Sequence, residues 1–213
     1  MNDDQKHNLV KSFVVLTSLI TLSLPIYKWG DRLNWEFSDI TLYQLFPLFG
    51  LLAFSMMWLH FAVGAIKRRW PKAINYKKYF RVTGNIVLVL ILLHPLILLA
   101  ASGEILGSFD YVPDNYHLYL YFALFGLSGF LIYEVADRLR ETKTVVKFWP
   151  LIKAINLSAF VAIYFHGLFL GQHLQEGGLM YLWIFYGITT AIFIIDGYMF
   201  DFRGDKKTTN LGE

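Results

Sequence analysis

Two histidines stand where an ionisable side chain is out of place. His94 lies in RVTGNIVLVLILLHPLILLAAS (residues 81–102) and His166 in LIKAINLSAFVAIYFHGLFLG (residues 151–171), runs that are otherwise almost wholly apolar. An ionisable group at membrane depth costs on the order of a few kcal/mol unless something engages it. Neutral imidazole is the commonest protein ligand for a metal, and a haem iron is one such partner. His94 is 12 residues past Val82 and His166 is 15 past Leu151. If both segments are helices entering from the same side, ~1.5 Å per residue puts the two at ~18 and ~22 Å, one level within the error of the boundaries. Two imidazoles at one level on two helices of a bundle can clamp a flat macrocycle by its iron. The plainer reading of a lone intramembrane histidine is a hydrogen-bonded core residue.

The elements that must carry these side chains follow from hydropathy. Hydrophobic residues make up 56 % of the 213-residue chain, charged residues 16 %, and the mean hydropathy is +0.45, which places it with integral membrane proteins. Six apolar segments are expected to span: Ser12–Tyr27, Ile40–Ile66, Val82–Ser102, His117–Val135, Leu151–Gly171 and Leu179–Met199. The first is short and contains Pro25, so an interfacial helix is its alternative. The expected fold is an all-α, six-transmembrane-helix bundle forming a single domain over residues 1–213. No cleavable signal peptide is expected at the N-terminus.

Charge sets the expected orientation. The segments KRRWPKAINYKKYFR and DRLRETKTVVKFW, both termini and Lys153 hold 17 of the 19 Lys and Arg residues, and only Lys28 and Arg32 lie on the other side. The positive-inside rule then makes both termini cytoplasmic. The localisation that follows is multi-pass, in a bacterial inner membrane, with the lipid bilayer as the first partner and no nucleic-acid role for the net charge of +3. Trp29, Trp35, Trp70, Tyr111, Tyr116, Tyr119, Trp149 and Trp183 read as an interfacial aromatic belt. With no cysteine, thiolate-bound zinc, iron–sulfur clusters and thiol redox chemistry are excluded.

The other histidines are weaker candidates. His60, in the inner half of the second segment, and His173, two turns beyond His166 on the same face, are secondary ligand candidates. His117 and His7 are expected to be solvated. Gly167, Gly171, Ala100 and Ala101 are small enough to admit a porphyrin, and Pro95 interrupts the hydrogen bonding next to His94.

Two local patterns carry a family resemblance. One is KKYFRVTG with Gly84, then His94 ten residues on; the other is Trp149 followed by His166 after 17 residues. On these, the middle half of the chain resembles the ferric-reductase-like transmembrane domain of ferric reductases and NADPH oxidases. In size it is closest to the haem-binding membrane subunit of the bacterial periplasmic methionine sulfoxide reductase system. The resemblance implies six helices with a haem held by the third and fifth. Two-haem relatives carry a second histidine 13 or 14 residues nearer the cytoplasm, positions close to Phe80 and Lys153 here. Neither side chain replaces an axial imidazole, so one b-type haem is expected, with His94 and His166 as its ligands. Counting down from the loop at 172–178, Lys153 and Asp196 fall at one level, and an ion pair between them is expected if the fifth and sixth helices are neighbours, with independent snorkelling as its alternative.

The expected function is transmembrane electron transfer, the chain being the haem-bearing subunit of an oxidoreductase. A bis-histidine haem has no open coordination position, which suits outer-sphere electron passage. No dinucleotide-binding motif is present, so the donor is expected to be a separate flavin-containing reductase or a membrane quinol. The resemblance puts the acceptor on the outer face: a periplasmic reductase, ferric iron or oxygen. The distance left on the inner side suggests a bound flavin or quinone as second carrier, with Trp70, Tyr76, Tyr79 or Trp149 near the route. The alternative is a haem-free transporter or accessory subunit whose histidines relay protons together with Glu134 and Asp196.

Overall fold

The structure is a computed structural model and describes residues 2–38, 40–102, 116–171, 174 and 178–209. Six helices form: α1 (Asp3–Arg32), α2 (Leu42–Arg69), α3 (Tyr76–Ser102), α4 (His117–Arg138), α5 (Lys143–Leu170) and α6 (Leu179–Thr209). All six are long and apolar enough to cross a bilayer, and no strand occurs among the described residues. The chain is therefore an all-α, multi-pass integral membrane protein.

The helices outrun the apolar segments that announce them. α1 opens on a capping box between Asn2 and Gln5 and continues through a buried Pro25 for 30 residues. Transmembrane helices tolerate such a proline because neighbouring groups satisfy the freed carbonyl. α3 starts six residues before Val82 and α5 eight before Leu151. Hydropathy marks where lipid begins, and the backbone goes on hydrogen bonding beyond it.

Two compact units are present, residues Met1–His94 with Tyr181–Glu213, and Pro95–Met180. In the first, α2 is the central helix: 61 % of its most apolar stretch is buried, against 11–22 % for the other five helices. Gln44 reaches back to the Thr41 N–H at 2.8 Å to start α2, and Lys67, Arg68 and Arg69 sit in its last turn, where cations complement the helix dipole. Against α1, α2 sets Val63 beside Val14, with Tyr76 of α3 closing the cluster. Against α6, Phe54 stacks on Trp183 at 4.0 Å and Trp58 on Tyr186 at 4.6 Å, and Trp58 Nε1 donates to Thr189 Oγ1 at 2.8 Å.

This packing corrects two expectations. Trp29 and Trp183 are core residues, 8 % and 4 % exposed, and not belt residues. Trp29 Nε1 donates to the Gln44 carbonyl at 2.7 Å, so its polar edge is satisfied inside the protein rather than by headgroups. The expected partner of Asp196 is also replaced. Its carboxylate accepts from Arg68 Nη2 at 2.9 Å and Arg69 Nη2 at 2.6 Å, because α6 presents it to the basic last turn of α2. Lys153 is exposed on α5.

The second unit is built on the α4–α5 hairpin. Gly126 and Gly129 are buried on α4, and a Cβ at Gly129 would stand 2.6 Å from the Cβ of Ala159 on α5. Small residues let the two backbones approach, and in a membrane that close packing is the main attraction between helices. Beyond it, Tyr133 packs on Trp149 at 5.7 Å and the Arg140 guanidinium lies over Trp149 at 4.5 Å. Tyr111 lies outside the described residues.

Candidate functional site

Each unit holds one of the two leading histidines, and each histidine is tied to the opening turns of the helix before its own. In the first unit, His94 Nδ1 is 2.8 Å from the carbonyl oxygen of Phe46, in the second turn of α2. A carbonyl only accepts, so Nδ1 carries the proton and donates. The Phe46 ring also stacks on the imidazole at 4.3 Å, with 18° between the planes. Gly50, one turn further along α2, permits this fit: a Cβ there would come within 2.7 Å of His94 Cε1 and 2.8 Å of Nδ1.

The second unit repeats the device. His166 Nδ1 donates to the Tyr119 carbonyl, in the first turn of α4, at 3.0 Å. Tyr119 stacks on Phe169 at 4.3 Å, one turn past the histidine on α5. The separation along the chain is 48 residues for Phe46 and His94 and 47 for Tyr119 and His166. In both rings the tautomer is settled by the carbonyl, and the lone pair resides on Nε2. A histidine that ligates a metal through Nε2 characteristically donates Nδ1–H to a carbonyl or carboxylate in this way, which orients the ring and raises its basicity.

His60 is arranged differently. Thr83 Oγ1 spends its one hydrogen on the Tyr79 carbonyl at 2.8 Å, so at 2.7 Å it can only accept from His60 Nε2–H. The proton that His94 and His166 carry on Nδ1 is on Nε2 in His60. Phe80 meets the His60 ring edge-on at 5.3 Å and Tyr79 at 6.3 Å. Thr83 is eleven residues before His94, about 16 Å along α3, so His60 and His94 belong to different levels of the first unit. His173 lies outside the described residues. His117 opens α4 and His7 lies within the first turns of α1, and both are half-buried rather than fully solvated.

The two acids of a conceivable proton path are both engaged by arginine. Glu134 Oε1 accepts from Arg138 Nη2 at 3.0 Å, and Asp196 is held by Arg68 and Arg69. Gly171, expected among the small residues that admit a porphyrin, is the C-cap of α5, its N–H bonded to the Gly167 carbonyl at 2.8 Å. α3 runs through Pro95 without a break.

Sequence reasoning passes over Phe46 and Gly50 and reads Tyr119 only as a belt residue. Gly50 had a readable signal: a glycine inside an apolar helix costs about 1 kcal/mol relative to alanine, which points to a close approach. The carbonyls of Phe46 and Tyr119 had none, since a backbone acceptor leaves no trace in residue type. No family model, no curated protein and no solved structure matches this chain.

Proposed function

We propose that the protein is the membrane subunit of an electron-transfer system and binds one b-type haem through Nε2 of His94 and Nε2 of His166. The observation that carries the reading is the shared state of the two rings. In each, Nδ1 donates to a backbone carbonyl, and that is the tautomer a histidine needs to ligate through Nε2. A structural histidine needs only one satisfied nitrogen. It does not need the same nitrogen, tied to the same part of a hairpin, in each of two units. The donor set also fits the metal: two neutral imidazoles suit a low-spin haem iron.

When bound, such a haem carries one electron at a time with no open coordination position. The chain's own residues hold the imidazoles, and the stacked Phe46 and Phe169–Tyr119 rings give the sites apolar walls that limit water. The charge asymmetry supports an orientation with both termini in the cytoplasm of a bacterial cell. Electrons would arrive from a separate flavin-containing reductase or from a quinol and leave towards an acceptor on the outer face.

The test is spectroscopic. Protein purified after haem-supplemented expression should be red and give the α band of a b-type cytochrome on reduction with dithionite. His94→Ala and His166→Ala should each abolish the band, while His60→Ala and His173→Ala retain it. A colourless protein, or a band that survives either of the first two substitutions, refutes the reading.

A further inference from the structure

α1 and α3 do not close on each other along their whole length, and the space left is a groove of about 480 Å³ in the first unit. Its walls are apolar over most of the length. Val15, Leu19 and Val82 line it and are 51, 62 and 49 % exposed, so this side of the unit opens to whatever surrounds the protein. One end is different: Lys11 of α1, Lys78 of α3 and Asn75, the residue before α3, line it together. Both helices run in the same direction through the unit, since α2 makes the return crossing. At ~1.5 Å per residue, Lys11 to Leu22 covers about 16 Å, much of one leaflet of the ~30 Å hydrocarbon layer.

Apart from Asp3 and Asp4, about two turns before Lys11, neither helix carries an acid at that end. No Asp or Glu occurs between Gln5 and Gly30 or between Trp70 and Gly103. Both lysine side chains are exposed, and neither forms an ion pair among the described residues. Two ammonium groups and an amide at headgroup level, above an open apolar channel one leaflet long, match one chemistry: an anion attached to an alkyl chain. We propose that the α1–α3 groove is a binding site for an anionic glycerophospholipid. One acyl chain lies along Val15, Leu19 and Val82, and the phosphate is held by Lys11 and Lys78. The bilayer supplies this ligand in the leaflet that the basic ends of the helices face.

The site does not depend on the haem assignment, and neither does its test. The full chain in mild detergent is mixed with phosphatidylglycerol or phosphatidylcholine of identical acyl chains, and retained lipid is counted by native mass spectrometry. Phosphatidylglycerol should be retained at least tenfold more strongly. Lys11→Gln and Lys78→Gln should each weaken its retention about fivefold, the equivalent of ~1 kcal/mol per lysine near a membrane surface. Lys77→Gln, a neighbour outside the groove, should leave it unchanged. Val15→Trp, which fills the channel, should reduce retention of both lipids. Equal retention of the two lipids, equal effects of Lys77→Gln and Lys78→Gln, or undiminished retention by Val15→Trp would each overturn the proposal. Circular dichroism on every variant separates loss of the site from loss of the fold.

Discussion

Gly50→Ala is the sharpest perturbation of the His94 site, because it touches the histidine without removing it. The added methyl would stand 2.7 Å from Cε1 and 2.8 Å from Nδ1 of His94. Ordinary carbon contacts begin near 3.5 Å, so the ring must retreat by about 1 Å. That movement takes Nδ1 from 2.8 Å to beyond hydrogen-bonding distance of the Phe46 carbonyl. For the fold, losing the bond costs about 1 kcal/mol and overpacking about 1–3 kcal/mol, offset by roughly 1 kcal/mol from replacing a helical glycine. The net destabilisation is about 1–3 kcal/mol. For the proposed haem site the effect is larger in kind, since loss of a supporting hydrogen bond to a metal-ligating histidine costs about 10- to 100-fold in affinity. Haem titration into apoprotein should show that loss in Gly50→Ala. Gly64→Ala on the same helix and Gly84→Ala on α3, where a Cβ meets nothing within 4 Å, should bind like the parent. If Gly50→Ala binds haem as tightly as Gly64→Ala with the same spectrum, the Phe46–Gly50 cradle does not position a ligand.

Other outcomes follow from the same contacts. Thr83→Val strands the His60 Nε2–H and should lower stability by about 1–3 kcal/mol in chemical or thermal unfolding, leaving any haem spectrum unchanged. A loss of the α band in that variant would instead make His60 part of the cofactor site. Gly129→Ala pushes α4 from Ala159 and should cost about 1–3 kcal/mol, and Gly129→Leu should prevent recovery of folded protein. Asp196→Asn should lower the thermal midpoint by leaving Arg68 and Arg69 without their counter-ion, whereas Lys153→Gln should not move it.

The number and order of the helices were legible because each crossing writes about twenty apolar residues into the chain. Their ends were not, since α3 and α5 begin in YKKYFR and KTVVKFW, where helical hydrogen bonding persists through residues that hydropathy scores as loop. Lateral packing was the least legible. Counting along two helices adjacent in sequence matches Asp196 to Lys153, but the structure sets Asp196 against the last turn of α2. Nothing in a single sequence says which helix a side chain faces. Trp29 and Trp183 carry the same ambiguity: a tryptophan near a helix end suits an interface and a core equally well until its neighbours are known. His94 and His166 were visible as costly side chains, while the carbonyls that give them their tautomers were not.

Those carbonyls also change how depth should be measured. Counted from the start of each apolar segment, His94 and His166 differ by three residues, and from the helix starts by five. The basic turns at 70–75 and 139–142 differ in length, so a count from that end carries the difference forward. What pins each imidazole is the hydrogen bond to the opening turns of the helix before its own, made in one unit across a basic turn of six residues and in the other across a turn of four. A histidine fixed in this way tolerates changes in the basic loops. It does not tolerate a shift at the carbonyl. Inserting one residue into the 70–75 loop should thus leave an α band intact, whereas a one-residue insertion between Gly50 and Phe54 should rotate the Phe46 carbonyl away from His94 by about 100° and abolish it.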